Sequence, residues 1–154
     1  MKNAIRRNLK GSDGFTLIEL MVVVMIIAVL IAIAIPSFLG FRSSAQDRSA
    51  QSEVRNVLLA EKAYWLDNAD YTETIADITA FEPNAVMHAS APATGVVAQL
   101  NTASSDVVCL TRTADSANTF AIWESSTGGT YYCETDLSAT CPASAPTGYV
   151  TGGW

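Results

Sequence analysis

Residues 15–35 read FTLIELMVVVMIIAVLIAIAI, an apolar run of twenty-one residues that contains a single charged residue, Glu19. A run of this length and composition is long enough to span the hydrocarbon core of a bilayer. The sequence before it, residues 1–14 (MKNAIRRNLKGSDG), is short, polar and basic, with no hydrophobic periodicity. We therefore interpret residues 1–14 as a leader peptide and residues 15–36 as a membrane-spanning half-helix.

The charge of the chain is distributed unequally around this apolar run. The full sequence of 154 residues has a formal net charge of −6. Residues 1–14 hold four of the nine basic residues and one of the fifteen acidic ones, so the remainder has a side-chain charge of −9. A basic segment before one apolar span predicts a cytoplasmic N-terminus and an acidic remainder outside the membrane. An acidic remainder also argues against direct binding of nucleic acid.

The pattern after the apolar run predicts a continuation of the helix. Residues 37–66 look helical and amphipathic, and Pro36 is expected to kink the helix where the two halves meet. Residues 67–93 are read as a connector, with a short helix expected near residues 73–78. The apolar face of the second half-helix is assigned to Val54, Val57, Leu58, Tyr64 and Trp65, and its polar face to Arg42, Asp47, Arg48, Glu53, Glu61 and Lys62.

Short β-like runs dominate the last third of the sequence. They cover residues 96–100, 106–113, 119–124 and 130–133, and Gly128-Gly129 is the clearest hairpin signal between them. Connections this short favour an antiparallel meander, because parallel strands need a long crossover. The sequence therefore predicts an α+β fold, in which a long N-terminal helix packs on a small antiparallel sheet. Residues 94–154 supply the sheet and a C-terminal loop, and residues 37–154 form one globular region.

A carboxylate within an apolar span requires a specific partner, because an isolated charge in hydrocarbon costs several kcal/mol. Cleavage between Gly14 and Phe15 would create such a partner, the new α-amine of Phe15, four residues from Glu19. The amine can meet Glu19 within one helix or on a neighbouring helix. A pairing between helices would satisfy both charges and set the axial register of a helical bundle.

The segment GFTLIELMVVVMIIAVLIAIAIPSF, residues 14–38, resembles the class III signal and N-terminal helix of type IV pilins and of the related pseudopilins. The shared features are the short basic leader, the Gly14–Phe15 junction, the acid fifth in the mature chain and the proline near the end of the run. The resemblance implies cleavage after Gly14 by a prepilin peptidase, N-methylation of Phe15, and a role for Glu19 in assembly. It also implies that Pro36 kinks the helix.

The resemblance further implies a structural subunit of a type IV pilus rather than an enzyme. The precursor would be a single-pass protein of the cytoplasmic membrane with its C-terminus outside, and the mature form would lie in a cell-surface filament. Its partners would be other copies of itself, the peptidase and methyltransferase, the pilus assembly machinery and, before assembly, membrane lipid. Adhesion, motility and DNA uptake all stay open as roles of the filament.

Other functions are compatible with parts of this pattern. A pseudopilin of a type II secretion or competence system needs the same helix, and a membrane-tethered binding module needs only the anchor. An ordinary secretory signal with a cleavage site at residues 32–34, or a simple single-pass anchor, leaves Glu19 without a purpose.

Three cysteines, Cys109, Cys133 and Cys141, lie in the part expected outside the membrane, where a disulfide is plausible. Each of the three pairings is open on the sequence alone. The resemblance favours Cys133–Cys141, because many pilins close a C-terminal loop in this way, and Cys109 would then be a small buried residue. No metal or cofactor is expected, since the sequence has one histidine, His88, and no C-x-x-C pair.

Overall fold

A computed structural model describes residues 14–89, 95–134 and 140–154. Most of the expected leader, residues 1–13, lies outside the described residues, as do parts of the connector and of the C-terminal loop. The elements in chain order are two helices, α1 (Leu17–Asn68) and α2 (Ile75–Phe81), and four strands, β1 (Val97–Asn101), β2 (Ser104–Thr113), β3 (Thr119–Ser125) and β4 (Gly129–Cys133). A long N-terminal helix followed by a small sheet confirms the predicted α+β fold.

The chain divides into two compact units between Leu39 and Gly40. The first contains the apolar part of α1, and every described side chain up to Leu39 is exposed. The second, residues 40–154, contains the rest of α1, α2 and the sheet, and is called the head below. Most of the buried hydrophobic side chains lie in the head, which therefore holds the hydrophobic core.

The four strands form one antiparallel sheet in the order β1-β2-β3-β4. Each strand pairs with its neighbours in sequence, as the short turns require. The β3–β4 hairpin closes at Gly129, whose φ of 86° is in the left-handed region that glycine adopts at little cost. The meander and its glycine turn are therefore as the sequence predicts.

One face of the sheet packs against the head portion of α1. The buried residues of the helix recur every three or four positions, as expected for a stripe facing a core. They meet Leu110 and Ile122, which are cross-strand partners on β2 and β3. The buried positions of the helix are Ala50, Val54, Val57, Leu58, Ala60 and Glu61. Glu61 was assigned to the polar face from the sequence, and the structure instead places it in the core.

The tail, residues 140–154, covers the opposite face of the sheet with its first part, through Cys141, Ala145 and Tyr149. Cys109, Trp123 and Tyr131 are successive cross-strand partners on this face and form a second buried cluster with Cys141. The tail is also held by polar contacts, since the Trp123 indole N–H donates to the Pro142 carbonyl at 2.8 Å. This outer cluster completes a three-layer arrangement of helix, sheet and tail.

The predicted Cys133–Cys141 pairing is wrong, because the disulfide joins Cys109 to Cys141 with their Cα atoms 5.5 Å apart. The tail reaches the sheet beside β1, where the Asn101 amide nitrogen donates to the Cys141 carbonyl at 2.7 Å. Cys109 lies on β2, next to β1, whereas Cys133 lies on β4, two strands further across the sheet. Two strand spacings are about 9.5 Å, which exceeds the reach of a disulfide.

The last residue, Trp154, fills the space between the sheet and α1. Its ring makes edge contacts with Phe120 and Tyr132, at centroid distances of 5.5 and 5.0 Å. The Arg55 guanidinium lies over the same indole at 5.2 Å, and the indole N–H donates to the Cys133 carbonyl at 3.1 Å. Trp154 therefore joins helix and sheet at one edge of the head.

Candidate functional site

The candidate site is the start of α1, where the expected cleavage position meets the apolar run. Thr16 precedes the first helical residue, Leu17, and occupies the N-cap position. The backbone N–H and the hydroxyl of Thr16 donate to Oε2 of Glu19 at 2.9 and 2.8 Å, and the Glu19 N–H donates to the Thr16 hydroxyl at 3.3 Å. This reciprocal pattern is a capping box, which satisfies backbone donors that the helix itself leaves without partners.

The capping box gives Glu19 a partner that the sequence analysis did not name. The sequence does contain the pattern of a capping box, because Thr16-Leu17-Ile18-Glu19 fits the T-x-x-E motif of a helix start. In the uncleaved chain the nitrogen of Phe15 is part of a peptide bond and carries no charge. The carboxylate of Glu19 therefore has hydrogen-bond donors before any cleavage.

Gly14 lies just before the helix in an exposed segment. A Cβ atom built on Gly14 has no heavy atom of the described residues within 4 Å, beyond its own chain neighbours. Its φ also lies outside the left-handed region that disfavours other residues. Nothing in the part of the chain that the structure describes therefore requires glycine at this position.

The apolar side chains that follow Glu19 are exposed along the helix. Val22, Met25, Ile26 and Val29 lie on one side of α1 and are between 50% and 69% exposed. By length and composition α1 is a candidate membrane span, and it is the one such helix among the described residues. An apolar surface that the chain leaves uncovered needs lipid or other protein around it.

Pro36 lies inside α1, which continues on both sides of it. Because proline has no N–H, the helix loses one hydrogen bond at this point. The Ser37 hydroxyl donates to the Ile33 carbonyl at 3.4 Å in the same turn. The kink at Pro36 stays a prediction.

Glu61 and Glu124 are buried acids of the head, and Glu61 differs from Glu124 in having no salt bridge within the described residues. Glu61 is fully buried, and its Oε2 accepts the backbone N–H of Thr72 at 3.2 Å, whereas Oε1 has no hydrogen-bond partner within the described residues. Burial raises the pKa of Glu61 to about 8, against the lowering effect of the Thr72 N–H. The contact fastens the start of the connector to α1. Helical periodicity signals this burial, because position 61 falls on the same face as Val54, Val57 and Leu58.

These observations define a class of protein with one exposed, apolar N-terminal helix, a capping box at its start and an α+β head. Comparison with known proteins agrees with this description of the N-terminal helix. The family model for the prokaryotic N-terminal methylation motif matches residues 9–35.

Similarity to individual proteins covers less than half of the chain. The type IV major pilin protein PilA of Myxococcus xanthus is 38% identical over 65 residues, which are 42% of this chain and 30% of that protein. The type IV wide pilus major component PilA4 of Thermus thermophilus is 37% identical over 68 residues, 44% of this chain and 52% of the relative.

A third relative belongs to a secretion system. The type II secretion system core protein G of Pectobacterium carotovorum is 38% identical over 61 residues, 40% of this chain and 39% of the relative. The chain thus spans about half or less of the length of the curated relatives it matches. Over less than half of its length the chain is thus similar to type IV pilins and to type II secretion core proteins, and it carries the methylation motif at residues 9–35.

Proposed function

We propose that this chain is the structural subunit of a type IV pilus filament. It is made as a precursor anchored in the cytoplasmic membrane, cleaved after Gly14, N-methylated on Phe15 and polymerised through α1. The observation that carries the proposal is the exposed apolar surface of α1, which begins with a single carboxylate. In the precursor, lipid covers this surface, and in the filament the helices of other subunits do so.

Glu19 has a different partner at each of these stages. In the precursor the carboxylate accepts the Thr16 N–H and hydroxyl, at 2.9 and 2.8 Å. Cleavage then frees a charged amine on Phe15, one residue before Thr16. The gain in electrostatic energy in a low-dielectric environment favours pairing of that amine with a Glu19 carboxylate. Between subunits, this pairing fixes the axial position of each helix against the next.

Gly14 is assigned to recognition by the prepilin peptidase. Residues 14–89, 95–134 and 140–154 leave open space around Gly14, so their packing does not demand a residue without a side chain. An exposed segment of this kind fits an extended substrate site in a protease. The peptidase and methyltransferase and the assembly machinery are therefore the partners proposed for residues 14–19.

The second candidate function is a pseudopilin of a type II secretion system. Similarity to core protein G favours it, at an identity close to that of the pilin relatives. Both functions use the same helix chemistry and differ in where the polymer lies. Labelling intact cells with an antibody to the head separates them, because a pilus gives long surface fibres whereas a pseudopilus does not.

The proposal is tested by shearing filaments from cells that produce this chain and analysing the sheared material by mass spectrometry. We expect the chain as a main component, beginning at an N-methylated Phe15. A chain that keeps residues 1–14 and stays in the membrane fraction as a monomer contradicts the proposal. That result favours the membrane-tethered binding module, which needs no cleavage.

A further inference from the structure

A polar groove lies along α1 within the head, beside the indole of Trp154. It has a volume of about 660 Å³, and its helical wall is one face of α1. Arg48 and Arg55, seven residues apart, both line this face and are exposed. The groove therefore presents two guanidinium groups to solvent.

The two arginines differ from Lys62 and Arg112, the two basic residues of the head that form salt bridges within its described part. Lys62 is 3.1 Å from Glu124, and Arg112 is 2.7 Å from Glu53, so both charges are compensated within the chain. Arg48 has no acidic partner within salt-bridge distance among the described residues.

Arg55 lies over the rings of Tyr132 and Trp154, at 5.8 and 5.2 Å, and keeps its charge. The one acid of the groove, Asp47, already accepts hydrogen bonds from Ser116 and from the Asn118 amide. The groove is thus a positive site on a chain whose remainder after residue 14 is strongly acidic.

A complementary negative surface lies at the other end of the head portion of α1. This acidic rim consists of Asp67, Asp70, Glu73 and Asp106. Asp67 falls in the last turn of α1, where there is no basic residue and where the helix dipole is itself negative. The Ser105 hydroxyl donates to Asp70 at 2.5 Å, and Asp106 follows Ser105 on β2. All four acids of the rim are exposed, so the rim presents negative charge to solvent.

The groove and the rim lie at different heights and on different sides of α1. Arg55 and Arg48 precede Asp67 by 12 and 19 positions, or about 18 and 28 Å along the helix axis, and are rotated by roughly 100° to 120° about it. Such a pair of sites cannot meet within one chain. It fits a head-to-tail contact, in which one site of each subunit meets the other site of the next.

We propose that the groove at Arg48 and Arg55 receives the acidic rim of a second copy of this chain. The inference rests on the proposed function, because it assigns one contact between heads to the filament formed through α1. Charge complementarity within a single sequence selects a second copy as the occupant. The contact joins subunits that are displaced along α1 by about the separation of the two sites, further apart than subunits joined through Phe15 and Glu19.

The test is a charge swap in the full-length chain, read as the amount of sheared filament per cell. Arg48→Glu and Asp67→Arg are each expected to lower the yield about tenfold, and the combination of both in one chain is expected to restore it. Arg48→Gln and Ser144→Glu form a matched pair, because each makes the chain one unit more negative. Ser144 lies in the tail on the opposite face of the sheet, so only Arg48→Gln should lower the yield. Tryptophan fluorescence of each variant verifies that the head is folded.

The outcomes separate the inference from the proposed function. If Arg48→Glu gives a wild-type yield of sheared filament, the inference is wrong, but the proposed function as a pilus subunit is unaffected. Loss in both single variants without recovery in the combination also overturns it, because the groove then binds another anion. If the wild-type chain itself forms no polymer, the proposed function fails and the inference fails with it.

Discussion

Thr16 and Glu19 cap each other at the start of α1, with the Thr16 N–H 2.9 Å from the Glu19 carboxylate. The contact is local to one chain and needs neither a cleaved terminus nor a neighbouring subunit. Glu19 can therefore act in two separable ways. Its carboxylate oxygen accepts hydrogen bonds at the helix start, and its negative charge is the group proposed to act in assembly.

Glu19→Gln and Glu19→Ala distinguish these two properties. Glutamine keeps a carbonyl oxygen for the Thr16 N–H but removes the charge, whereas alanine removes both. If pairing with the Phe15 amine drives assembly, both variants should be cleaved normally and both should lose most of their filaments. Yield is measured in the sheared fraction and cleavage by gel mobility. A Glu19→Gln variant with wild-type yield would show that capping is the function of this residue.

Gly14→Val should abolish leader cleavage without disturbing the fold. A side chain at Gly14 meets no heavy atom of the described residues beyond its chain neighbours, so we expect the effect to come from the peptidase. The precursor is then expected as an unshifted band in a membrane fraction.

Gly40→Ala is the matched control for this variant, since a Cβ at Gly40 also meets no heavy atom of the described residues within 4 Å beyond its own helix backbone and chain neighbours. This control should be processed normally. Normal cleavage of Gly14→Val would remove Gly14 from the recognition site.

The stability of the head should fall as the pH rises from about 4.5 to about 8. Burial raises the pKa of Glu61 from an ordinary value of 4.5 to about 8, so the folded head binds this proton more tightly than the unfolded chain does. The stabilisation is complete below pH 4.5 and is lost as the pH passes the folded-state pKa. The expected loss is a few kcal/mol, at about 1.4 kcal/mol per unit of pKa difference.

Glu61→Gln should remove this part of the pH dependence and make the head more stable than the wild type above pH 8. The free energy of unfolding can be followed by tryptophan fluorescence in detergent, because all three tryptophans, Trp65, Trp123 and Trp154, lie in the head. Glu134→Gln, which changes an exposed carboxylate just after β4, should keep the wild-type slope. An unchanged slope in Glu61→Gln would show that another group titrates.

Cys109 and Cys141 should be recovered as one linked peptide from the non-reduced protein. Their bridge closes a loop with a sequence separation of 32, and its loss in Cys141→Ser is expected to lower the free energy of unfolding by about 2–4 kcal/mol. Cys133→Ser should leave the linked peptide in place. A peptide that joins Cys133 to Cys141 would contradict the structure.

The sequence was sufficient to predict the helix and the strands because both follow from local patterns. The apolar run and its amphipathic continuation have strong periodicity, and the predicted strand at residues 106–113 is observed as Ser104–Thr113. Turn chemistry at Gly128-Gly129 located the β3–β4 hairpin. Each of these features depends on residues close together along the chain.

The disulfide and the buried acid were not predicted, because both depend on packing between distant segments. Cys133 is closer to Cys141 in sequence, but only the strand order and the path of the tail show that Cys109 is closer in space. Glu61 was assigned by its charge, although its helical position faces the core. There the Thr72 N–H and the raised pKa make the carboxyl group tolerable, and neither can be read from the helix alone.

The bridge from Cys109 to Cys141 has a consequence for which positions of the head can be substituted without disturbing the core. It fastens the tail over the sheet face that does not touch α1, so the exposed tail positions, such as Ala143, Ser144 and Thr147, lie on the side of the sheet away from the helix. Substitutions at these positions change the outer surface of the tail, whereas the core against the helix stays the same. The fold thus allows the tail surface to vary independently of the helix.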